Sequence, residues 1–166
     1  MTVTVLIITN DKHIISTTSD TFLSTGTFTT SPSYDTIDDI IQNIPSFVEQ
    51  NKSTCIGYPP TWPKAVSTRL IKALSSQGVA VIPTSLLSAY GCGKGSAVVV
   101  EVGQGGEGCL GLVVDWQPQP AACTDFSSLD TLTVALQTAL QNVDMDKRPA
   151  VMDNLIVTGS GWTQPI

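Results

Sequence analysis

Two runs of β-branched and apolar residues, Val3 to Thr9 (VTVLIIT) and Ser96 to Val102 (SAVVVEV), each lead through a turn into a second such run, at His13 to Thr18 and at Cys109 to Trp116 (CLGLVVDW). Side chains branched at Cβ crowd a helix but pack well on a pleated surface, so each pair predicts a β-hairpin. The first turns at Asn10, Asp11 and Lys12, and the second through Gly103-Gln-Gly-Gly-Glu-Gly108. What lies between and after the hairpins decides the class of fold.

Residues 16 to 36 are crowded with Ser and Thr, and Phe22, Leu23 and Phe28 predict a third short strand before a polar linker. From Thr36 the period changes. Ile37, Ile40, Ile41, Ile44 and Val48 fall on one helical face, Thr36 and Asp39 have capping-box spacing, and Pro45 is expected to kink or shorten the helix. Cys55 to Gly57 reads as a buried strand that exits through Tyr58, Pro59 and Pro60. Pro63 suits the start of a second helix, whose apolar face is Val66, Leu70, Ala73 and Leu74, with Gly78 as its cap. Val79 to Ile82 predicts a strand, and Thr84 caps a brief helix over Ser85 to Tyr90. Beyond the second hairpin come a Pro-rich loop, a helix marked by Leu129, Leu132, Leu136, Leu140 and Val143, a helical turn within residues 146–153, and a last strand at Leu155 to Thr158. Strands alternating with helices predict an α/β fold, with helices packed on sheets.

The 166 residues suffice for one sizeable core. A net charge of -6, with 8 Lys and Arg against 14 Asp and Glu, has the wrong sign for coating nucleic-acid phosphates. No run approaches the ~20 apolar residues of a membrane span, and the N-terminus lacks signal-peptide features, so the expectation is a soluble intracellular protein without direct nucleic-acid or membrane contact. Only 13% of residues are charged, which points to surface covered by a protein partner. Cys55, Cys92, Cys109 and Cys123 contain no C-x-x-C pair and His13 is the single histidine, so neither a metal site nor a disulfide framework is expected.

Gly103, Gly105 and Gly108 spell G-x-G-x-x-G, but the string joins strand to strand, whereas a dinucleotide loop runs from strand into helix. A tight hairpin explains it. No Walker A lysine follows a glycine run, no G-x-S-x-G surrounds a serine, and Asp38/Asp39 and Asp144/Asp146 border predicted helices as ordinary end charges.

Four stretches in order resemble actin and the actin-related proteins. They are Tyr58 to Lys64 leading into a helix, Val81 to Gly93 spanning a short helix, Ala97 to Gly105 at the place of the second phosphate hairpin, and Met145 to Gly159 ending at the nucleotide. The resemblance implies an actin-like (ribonuclease H-like) α/β core of two abutting hairpin-and-helix halves, residues 1–95 and 96–166, truncated by loss of the outer lobes at residues 24–36 and 117–128. At the positions the family uses for nucleotide, the chain departs. Only Lys12 survives in the first phosphate loop, and Thr9 replaces its acidic residue; Glu101, Val102, Gln104 and Gly108 replace aspartate, serine, aspartate and histidine around Gly103 and Gly105; Gly159 is followed by Ser160. Holding Mg and its waters needs those carboxylates. By resemblance, the expectation is a non-catalytic structural subunit without cofactor, nuclear or alternatively cytoplasmic, that binds a long helix of a large subunit, and possibly another actin-related protein, in a chromatin-remodelling or histone-modifying complex. Its expected partner-binding residues are Leu87, Tyr90, Leu112 and Trp116, beside Leu86, with exposed apolar surface also from Trp62 and Trp162. The alternatives are a dynactin filament-end subunit, an ATP-binding or ATP-hydrolysing actin-like protein that uses Lys12, Glu101, Gln104 and the Gly103 and Gly105 backbone, and a small α/β domain with no nucleotide ancestry.

Overall fold

The computed structural model describes residues 3–10, 12–19, 27–31, 33–53 and 55–159. The chain is mixed α/β and divides into two compact units, one of Met1–Tyr58 with Trp62–Ile82, the other of Pro59–Thr61 with Pro83–Ile166. The division falls at residue 83, where the sequence suggested 95, because the short helix there packs into the second unit.

In the first unit β1 (Val3–Ile8) and β2 (Ile14–Ser19) form the predicted antiparallel hairpin, and β3 (Thr27–Thr30) extends it. Phe28 lies in β3, while Phe22 and Leu23 lie outside the described residues. Helix α1 (Ile37–Asn51) starts at a capping box in which Thr36 Oγ1 accepts the Asp39 N–H at 3.1 Å and Asp39 Oδ2 accepts the Thr36 N–H at 3.0 Å. It continues past Pro45, which has no N–H for the Ile41 carbonyl. The expected shortening does not occur because Ile40, Ile44 and Val48, on both sides of the proline, are buried in one cluster with Leu6, Ile8 and Ile56. That packing outweighs one missing hydrogen bond.

The chain returns in β4 (Cys55–Tyr58), parallel to β1, and passes through α2 (Lys64–Leu74) to β5 (Ala80–Pro83). Strand order is β3-β2-β1-β4-β5. Gly78 does not cap α2 directly; at φ +65° it serves the turn that follows.

The second unit repeats the plan. β6 (Ala97–Val102) and β7 (Gly108–Val114) form the second hairpin, and β10 (Leu155–Thr158) lies parallel to β6 after α4 (Leu129–Gln141) and α5 (Arg148–Met152). Helix α3 (Thr84–Gly91) belongs to this unit. Each unit is thus a hairpin joined through helix to a parallel strand, the arrangement that the resemblance implied for the halves of an actin-like core.

Two expectations fail here. The stretch from 117 to 128 is not a plain bridge, since it holds β8 (Gln117–Pro118), a 3-10 turn (Pro120–Ala122) and β9 (Thr124–Phe126), with β8 and β9 both antiparallel to β7. Strands of two or three residues are too short to leave a periodic pattern. β7 also stops at Val114, so Trp116 sits in the turn to β8 and not in the strand.

Candidate functional site

Alternation along β6 and β7 sorts their residues between two faces of the second sheet. Val98, Val100, Val102, Leu110 and Leu112 point to the side covered by Ala135 and Ala139 of α4, while Val113 packs with Leu86 and Ala89 of α3 on the other side. Leu112, expected to bind a partner, is 0% exposed and faces away from the helix that carries Tyr90. It is core. Leu87 on α3 is half-buried.

The glycine turn closes by two backbone bonds, from the Gly103 N–H to the Glu107 carbonyl at 2.7 Å and from the Gly106 N–H to the Gly103 carbonyl at 3.1 Å. Gly106 has φ +85°. The Glu107 carboxylate folds back over this turn: a Cβ on Gly103 would stand 2.6 Å from its Oε1, and a Cβ on Gly105 would overlap its Oε2. A negative group therefore already lies against the glycines that the resemblance assigns to phosphate, and a second anion there meets like charge. Gln104 between them is exposed and neutral.

The other expected nucleotide positions are tied into structure. Glu101 is half-buried and accepts a hydrogen bond from Thr84 Oγ1 at 3.0 Å, with Cys109 Sγ 4.0 Å from the same oxygen. Thr84, expected as a cap, is the first residue of α3 and spends its hydroxyl on that carboxylate instead. Gly159, at φ +108°, has no room for a Cβ against the backbone of Val102, so close packing on the end of β6 accounts for it. Lys12 lies in the first unit at φ +63°, and its Nζ donates to the Asp35 carbonyl at 2.6 Å. Among the described residues, no group of three or more His, Cys, Asp or Glu could hold a metal ion. Burial pushes the Cys109 thiol far up, with Glu101 and Asp125 adding to it, and raises Cys123 to about 11, so neither forms a nucleophilic thiolate near neutral pH.

The remaining two residues of the expected set do meet. Tyr90, 54% exposed at the end of α3, stacks on Trp116, 39% exposed, with ring centroids 5.0 Å apart and planes 15° from parallel. Asp115 (φ +50°) and Trp116 (φ +65°) form the two-residue turn between β7 and β8. Both positions are left-handed, where Asn-Gly is the usual choice. Several contacts hold them there. The Trp116 N–H donates to the Gly95 carbonyl at 2.7 Å, the Asp115 N–H to Ser96 Oγ at 3.0 Å, and Lys147 Nζ to Asp115 Oδ2 at 2.8 Å. Gly95 lies under the indole, where a Cβ would stand 2.9 Å from Trp116 Nε1. The sequence showed both aromatic residues but not their stacking, which depends on the left-handed turn; Asp115 and Pro118 around Trp116 were its faint signal. Trp62 is instead half-buried and stacks on Tyr58 at 6.3 Å, and Trp162 lies outside the described residues.

No protein-family model matches the chain, and no curated protein does. Among solved structures, the chain is similar to the ethanolamine utilization protein EutJ of Carboxydothermus hydrogenoformans, at 12% identity and a TM-score of 0.46. The match covers 92% of this chain and 65% of that one, so this chain spans less than two thirds of the length of that protein.

Proposed function

We propose that this chain is a non-catalytic, actin-like binding subunit of a larger protein assembly, and that Tyr90 and Trp116 anchor a partner. The observation that carries the reading is the exposed stacked pair. Two consecutive non-glycine residues in the left-handed region cost about 1 kcal/mol or more each, and here the strain serves to hold an indole at the surface. Aromatic side chains that are rigid, half-wet and already placed are the commonest energetic anchors of protein interfaces. The Glu107 carboxylate over the glycine turn, and Glu101 bonded to Thr84, support the absence of phosphoryl transfer in this reading. The partner surface in the reading is the apolar face of a long helix. A chromatin-remodelling or histone-modifying assembly, named by the resemblance alone, is the first place to look for it.

The test is quantitative co-purification of the tagged chain from its native source, comparing wild type with Tyr90→Ala, Trp116→Ala and Met145→Ala, the last an exposed residue outside the pair. Both aromatic variants should lose partner yield by an amount equal to about 1 to 3 kcal/mol while keeping the wild-type melting temperature, and Met145→Ala should lose none. Unchanged partner yield in both aromatic variants would overturn the reading.

A further inference from the structure

Within the first unit, the end of α1 and the turn after α2 border a pocket of about 500 Å³, lined by Val48, Glu49, Lys52, Ser53 and Gln77. Small-molecule sites commonly measure about 300 to 1,000 Å³. Two polar groups of its lining are out of water and have no hydrogen-bond partner among the described residues. Ser53 is 7% exposed, and its N–H is spent on the Val48 carbonyl at 3.1 Å, but its Oγ is unpaired. Gln77 Nε2 donates to the Pro45 carbonyl at 3.3 Å, which fixes the orientation of the amide and leaves the buried Oε1 unpaired as well. A buried polar atom without a partner costs free energy, and a molecule that bonds to it recovers that cost.

The lining also carries one charge of each sign. Glu49 and Lys52 are exposed, and neither makes an ion pair with a described residue. Lys52 stands just past α1 at φ +49° and ψ +45°, a left-handed position that Gly or Asn usually fills because a longer side chain is strained there. The turn itself gives no reason for a lysine. The last turn of α1 has no basic residue, so its carbonyl end adds to the Glu49 carboxylate in favouring a cationic group. From these observations we infer that the pocket binds a free α-amino acid. Its ammonium has three N–H donors for three acceptors, Gln77 Oε1, Ser53 Oγ and the Glu49 carboxylate, and its carboxylate pairs with the Lys52 ammonium. Ser53 Oγ turns to meet it by rotation about one bond. Lys52 repels a bare metal cation and Glu49 a simple anion, so a zwitterion is the class that uses both charges. The site shares no residue with the Tyr90 and Trp116 pair, so either reading can fail alone.

The probes are the common L-amino acids, titrated one at a time into the isotope-labelled full chain. At least one should give saturable amide shifts at Val48, Glu49, Lys52, Ser53 and Gln77 with a dissociation constant below about 1 mM. The analogues of that amino acid lacking the amino group or the carboxyl group should bind about tenfold more weakly or worse. Two variants separate binding from stability. Lys52→Gly relieves the left-handed residue and Ser53→Ala removes the unpaired hydroxyl, so both should keep or raise the melting temperature while weakening binding by about tenfold. Lys52→Arg, which keeps the charge, should bind within about threefold of wild type. The proposal is overturned if no amino acid gives saturable shifts, or if an analogue lacking either charged group binds as tightly as the amino acid. It is equally overturned if both variants bind as wild type does, or if both melt at lower temperature, which would make Lys52 and Ser53 parts of the fold alone.

Discussion

Gly95 shows how one missing methyl group positions a side chain elsewhere in the unit. The indole of Trp116 lies so close that a Cβ on Gly95 would reach 2.9 Å from Nε1 and 3.0 Å from Cε2. Since the indole is partly exposed, it can swing away instead of unfolding the turn, so Gly95→Ala should leave the melting temperature within a few degrees of wild type while displacing the ring. We expect a shift in tryptophan fluorescence that disappears in a Trp116→Phe background, together with the partner loss seen for Trp116→Ala. An unshifted spectrum with normal partner yield would show that the indole does not depend on Gly95. Leu112 carries the opposite lesson at the same scale. Its type suits an interface as well as a core, and only the alternation of β7 against the two layers of helix decides that it is core.

Among the elements, the β6-β7 hairpin is the most constrained. Gly108 pairs with Val102 and, through β9, with Phe126; a Cβ there would overlap the Glu101 carbonyl and stand 2.6 Å from Phe126 Cζ. Backbone cannot yield as an exposed ring can, so Gly108→Ala should destabilise the chain by about 3 kcal/mol. Denaturant unfolding measures this, and a loss below about 1 kcal/mol would mean the hairpin relaxes more easily than its close contacts imply. The glycine string in this hairpin was legible in the sequence as a turn, and the structure keeps that reading. What it adds is the Glu107 carboxylate folded over Gly103 and Gly105, which no spacing rule reports because the contact depends on the conformation of the turn.

For the whole molecule, the nucleotide is the decisive question. If Glu101, Gln104 and Glu107 leave no phosphate site, Mg-ATP at millimolar concentration should not raise the thermal midpoint. A site with a dissociation constant one hundredth of the ligand concentration would add about 2.7 kcal/mol of stability, well within detection. A dose-dependent rise that Glu101→Ala abolishes would restore the ATP-binding alternative.

The sequence by itself determined the elements whose causes are local: two hairpins from β-branched runs, α1 from its isoleucine period and its Thr36–Asp39 box, and the alternation that makes the chain α/β. Tertiary structure decided the rest. Helix α1 continues through Pro45 because distant residues bury its face, and α3 joins the second unit because its partners are β6 and β7. Strands β8 and β9 exist because β7 offers them a free edge. Tyr90 and Trp116 stack only once a left-handed turn has folded. Propensity and period act over a few residues, whereas facing, register and edge position are properties of segments far apart in the chain.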